Sequence, residues 1–83
     1  MTEAHITVLY FARIAELTGM RQETIAATGI GNGHALLTAI TARHPALASV
    51  KNLRLAVNQT HAPTGVNIAA GDEVALFEPV TGG

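Results

Sequence analysis

Apolar and polar positions along this chain repeat with two different periods, and each change of period marks an element. In HITVLYF, residues 5–11, Ile6, Val8 and Tyr10 alternate with Thr7, Leu9 and Phe11. That is a strand apolar on both faces, suited to the middle of a sheet. ARIAELTG follows, with Ile14 and Leu17 three apart and Gly19 placed as the stop, which predicts a short helix. RQETIAAT is mostly polar and reads as an edge strand that hairpins back on the first.

GIGNGHALLTAITARHP then predicts a glycine-rich connection feeding the main helix. Leu36, Leu37 and Ile40 lie on one face, Asn32 is the N-cap, and Pro45 forces the end. In NLRLAVNQ, Leu53, Leu55 and Val57 alternate with Asn52, Arg54 and Ala56, a half-buried strand by its period of two. THAPTG reads as a turn. Gly71-Asp72 forms another turn before Val74, Leu76 and Phe77, a last strand that Pro79 terminates.

First and last strands both read as central. Placed side by side, they predict an α+β fold of the β-grasp, ubiquitin-like kind: a mixed four- to five-stranded sheet with one main helix packed across one face. The 83 residues fit one domain over 1–79, followed by a flexible tail over 80–83. The apolar fraction of 48% can fill one core, mostly with aliphatic side chains, since Tyr10, Phe11 and Phe77 are the only aromatics.

Charge and composition narrow the function. A formal net charge of −1, with both signs spread along the chain, leaves no footprint for nucleic acid or an anionic membrane. With no cysteine there are no disulfides, thiolate metal sites or cysteine nucleophiles. MTEAHITVLYFARIAEL has no basic leader, and Arg13 and Glu16 break its apolar run far short of a spanning helix, so a cytoplasmic location is expected.

Conventional sites are missing. GIGNG lacks the P-loop lysine and the glycine spacing of a nucleotide loop, so it reads as a flexible connection. His5, His34, His44 and His61 have no i, i+4 pair to hold a metal and read as solvated, with His44 in the last helical turn, where its cation suits the dipole. Asp72 and Glu73 are adjacent on a strand and point to opposite faces, a poor acid/base dyad. No metal and no bound cofactor are expected.

That leaves the ending EPVTGG. Residues 80–83 span about 13–14 Å when extended. Gly82 and Gly83 have no Cβ, so they can pass through a channel that rejects other residues. The arm carries one chemical group, the α-carboxylate of Gly83. At neutral pH that group is an anion and a poor electrophile, so it needs activation by a partner, for example as an acyl-adenylate.

ITVLYFARIAELTG, AVNQT and GDEVALFEPVTGG together resemble the small subunits of molybdopterin synthases, a branch of the ubiquitin-like sulfur-carrier family. The resemblance implies that Gly83 is adenylated by an E1-like adenylyltransferase that uses ATP, and is then converted to a thiocarboxylate. It implies sulfur donation to cyclic pyranopterin monophosphate inside a heterotetramer with the large synthase subunit, two carriers serving each dithiolene. Gly82 maps onto the penultimate glycine that lets the tail thread. Phe77, Pro79 and Val80, with Thr81 beside them, map onto the segment that docks against partners. The chain departs from the pattern in GIGNGH, where a Ser/Thr-Val type cap is usual, and in THAPTG, where a more apolar strand is usual. Two other readings share the tail: a protein modifier whose activated glycine is captured by a target lysine, and a passive binding module. A sulfur carrier for thiazole synthesis or tRNA thiolation is a further alternative.

Overall fold

The computed structural model describes residues 4–79. Five strands, β1 (His5–Tyr10), β2 (Gln22–Ala26), β3 (Arg54–Val57), β4 (Thr60–Ala62) and β5 (Glu73–Phe77), form one sheet in the order β2-β1-β5-β3-β4. β1 and β5 run parallel at its centre, and the remaining pairs are antiparallel. Two helices, α1 (Ala12–Thr18) and α2 (Gly33–Arg43), and a short 3-10 helix at Pro45–Ser49 complete the fold. This is the expected β-grasp arrangement, with the apolar first and last strands in the middle and the polar RQETIAAT strand at an edge.

The register sorts the side chains. Ile6 lies opposite Ile25, Val8 opposite Val74, and Leu76 opposite both Tyr10 and Leu55, so these residues share the inner face. They are buried together with Leu36 and Ile40 of α2, Ile14 of α1, Leu47 of the 3-10 helix, and Ile68. Full burial of each large aliphatic side chain contributes roughly 1.5–3 kcal/mol. The spacing Leu36 to Ile40 therefore suffices to seat α2 on the sheet.

The ends of the helices follow local chemistry. Gly19 closes α1 at φ 76°, and its N–H donates to the Ala15 carbonyl. Asn32 caps α2 by accepting from the Ala35 N–H at 2.9 Å, so the unusual GIGNGH opening is still capped.

Four expectations need correction. First, GIGNG is a packed junction, not a free connection. The Gly33 N–H donates to the Val66 carbonyl, the Gly31 carbonyl accepts from Ile68, and a Cβ on Gly33 would stand 2.3 Å from the Thr64 oxygen. Second, the third strand stops at Val57. Asn58 and Gln59 both take positive φ, 50° and 71°, the geometry of a type I′ turn, and this turns THA of THAPTG back as strand β4. Third, α2 ends at Arg43 as Pro45 requires, but the chain keeps a helical path there: Pro45 opens a 3-10 turn whose Leu47 enters the core. Fourth, His44 is not solvated; its side chain is 14% exposed against Glu23.

Candidate functional site

The last described residues of the chain are the root from which residues 80–83 depart. β5 carries Val74 and Leu76 into the core, so Ala75 and Phe77 must face outward by the strand's period of two. Cross-strand partners put Leu9 and Ala56 beside Ala75, and Arg54 opposite Phe77. The outer face at this end of the sheet therefore sets Leu9, Ala56 and Ala75 beside one aromatic, with Arg54 opposite it.

Phe77 is half-buried, with the His61 ring packed on it at 5.0 Å between centroids. Arg54, Leu55, His61, Ala62, Glu78 and Pro79 line a cleft of about 420 Å³ with it. On the other side of the root, Arg13 at the start of α1 donates to Glu78 at 2.9 Å, and the Phe11 N–H donates to the Leu76 carbonyl. Phe11 itself is 49% exposed. The chain thus leaves the sheet from a footing held by α1 on one side and by β3 and β4 on the other.

Of the residues expected to act, Phe77 and Pro79 lie at this root. Val80, Thr81, Gly82 and Gly83 lie outside the described residues. Phe11, Arg13, Arg54, His61 and Glu78 were not singled out beforehand for this place. Arg54 and His61 become legible once β3 and β4 are paired, because the pairing sets them around Phe77.

A second polar group lies on the inner face. The Tyr10 hydroxyl donates to Glu23 Oε1 at 2.5 Å, and His44 Nε2 stands 2.6 Å from the same oxygen. Arg43 donates to Glu23 Oε2 through Nε at 3.1 Å and Nη2 at 2.8 Å. Burial pushes the Glu23 carboxyl up, but the hydrogen bonds from Tyr10, His44 and Arg43 outweigh it and hold it below the usual carboxylate range. Burial, then the bond to Glu23, pushes the Tyr10 phenol far up. The group ties β1, β2 and the end of α2 together, and both oxygens of its carboxylate are occupied within it.

Asp72 accepts from the Ala69 N–H and from Asn58, bonds that hold its carboxyl below the ordinary value. Asn58 in turn accepts from the Glu73 N–H. AVNQT therefore fastens the β3–β4 turn to the start of β5, and the Asp72-Glu73 pair is structural. No set of three metal-ligating side chains occurs among the described residues. No helix among them is long and apolar enough to cross a membrane.

A family model described as the ThiS family matches residues 8–83. A molybdopterin synthase sulfur carrier subunit from Homo sapiens is 40% identical over 82 residues, spanning 94% of this chain and 93% of that protein. The crystal structure of small archaeal modifier protein 1 from Haloferax volcanii matches with a TM-score of 0.81 at 34% identity, covering 93% of this chain and 99% of the other. A subunit in the complex of subunits 1 and 2 of molybdopterin-converting factor from Helicobacter pylori shares the fold, with a TM-score of 0.64 at 21% identity over 95% of this chain and 99% of the other.

Proposed function

This chain belongs to the ThiS family, and from that premise we propose that it is the sulfur carrier of a molybdopterin synthase. The carboxylate of Gly83 attacks the α-phosphate of ATP in the site of an E1-like partner and releases pyrophosphate. A sulfur nucleophile then displaces AMP and leaves a thiocarboxylate. In the large synthase subunit that sulfur passes to cyclic pyranopterin monophosphate, and water returns the carboxylate. Two charged carriers serve each dithiolene, which suits a heterotetramer of two small and two large subunits acting in the cytoplasm. The chain's own task is to present the tail.

The observation that carries this reading is the 40% identity to a sulfur carrier subunit across 94% of the chain. The root supports it. Phe77 and Pro79 stand where a partner that takes in Val80, Thr81, Gly82 and Gly83 must first touch. In the Helicobacter pylori structure a chain of this fold is in complex with a second subunit, which supports a large-subunit partner here. Complementation tests the reading. The wild-type gene restores molybdoenzyme activity to a strain lacking its small synthase subunit, and a copy without Gly83 does not. Restoration by the truncated copy refutes it.

The likeness to a small archaeal modifier protein favours one second reading, transfer of the activated Gly83 to a lysine of a target protein. Activation is common to both. Branched Gly83–lysine peptides in digests of the host proteome identify the modifier, and their absence removes it.

A further inference from the structure

Four residues can reach at most about 13–14 Å, which bounds the distance from Pro79 to Gly83. A partner that draws Gly83 into its own site must therefore come within that distance of Pro79, and its surface covers the root. Among the groups it covers is Arg54, exposed and set directly opposite Phe77. The Arg54 guanidinium has no hydrogen bond or ion pair among the described residues. The acid next to it in the cleft, Glu78, already holds Arg13. Glu73 lies at the opposite end of β5, about 13 Å along the strand. His61, on β4 beyond β3, brings no negative charge. Covering a guanidinium that has no counter-charge is costly, because a desolvated ion needs a partner.

We propose that the large synthase subunit presents a carboxylate to Arg54, beside an apolar hollow that receives Phe77. This rests on the sulfur-carrier reading and deepens it by giving the chemistry of the docking surface. Glu78 bonds Arg13 and makes no ion pair with Arg54, so the complementary charge is sought outside the chain. Phe77 supplies apolar contact without selectivity, and Arg54 supplies the test that a wrong surface fails, since an apolar or basic surface leaves it unpaired.

The experiment measures binding of the full-length chain to its own large subunit by calorimetry, at low and at high salt. Arg54→Ala weakens binding about thirtyfold, the loss expected when one member of a covered charge pair is removed. Arg54→Glu weakens it further, and Arg54→Lys retains most of the affinity. Because Arg54 is exposed, each variant keeps the wild-type thermal midpoint, so a loss of affinity is not a loss of folding. Reversing the matching carboxylate on the large subunit to lysine restores binding of Arg54→Glu. Wild-type binding of the large subunit by Arg54→Glu overturns the proposal. That result does not touch the sulfur-carrier reading, which fails instead if wild-type chain is never loaded.

Discussion

Two polar groups flank the same end of the sheet, one on each face, and they are built on opposite terms. On the inner face, Glu23 is met by Tyr10, Arg43 and His44, and its side chain is 10% exposed. On the outer face, Arg54 stands beside Phe77 with no ionic partner among the described residues. A buried carboxylate without donors would be severely destabilising, so the fold completes its own pairing wherever packing is permanent. An exposed guanidinium costs little in water, so it can be left open for a surface that arrives later. Satisfaction marks the scaffold, and an unfilled valence beside an apolar residue marks the docking face.

Substitutions on the two sides should separate accordingly. The largest loss of stability is expected at the packed junction that seats α2. A Cβ at Gly33 would stand 2.3 Å from the Thr64 oxygen and 2.9 Å from Leu55 Cδ2, so Gly33→Ala should cost about 3 kcal/mol by denaturant unfolding. A change below 1 kcal/mol would mean that the Thr64 loop yields easily.

Next comes Glu23→Ala, which strips the acceptor from three side chains and should cost about 2–3 kcal/mol. The pH dependence has a definite sign. The carboxyl is held below its usual range in the folded state, so its contribution is present above about pH 4.5, the ordinary glutamate value. It is lost as pH falls through the lower folded value. Unfolding followed across acid pH should show that limb in the wild type and a flatter one in Glu23→Gln.

Phe77→Ala sharpens the contrast. Phe77 is half-buried, so stability should fall by only about 1 kcal/mol, while affinity for the large subunit falls at least about tenfold. The smallest effect on folding is expected at the Arg13–Glu78 pair, whose side chains are 52% and 30% exposed; Arg13→Ala should change stability by less than about 1 kcal/mol.

The sheet was legible because its signals are local. Apolar residues on both faces of HITVLYF placed β1 in the centre, polarity put RQETIAAT at an edge, and Asn32 announced the start of α2. β4 was not legible. Three residues, Thr60–Ala62, are too few to show a period, and Asn-Gln is a weaker turn signal than Asn-Gly. The Glu23 group joins residues 13, 20 and 21 positions apart, a pairing that appears only once β2 and α2 are in place. The candidate site divides the same way. Two residues without side chains after an apolar strand can be read from the chain alone. The Arg54–Phe77 pairing needs the register.

The central claim is that the described residues form a passive mount and that the chemistry occurs at Gly83. Mass spectrometry of the C-terminal peptide tests it most directly, after incubation of the chain with ATP, an E1-like activating enzyme and a sulfur donor. One oxygen of Gly83 should be replaced by sulfur in the wild type, and in no variant that lacks Gly83. An unchanged terminus, with an enzyme that loads a known carrier under the same conditions, would contradict it.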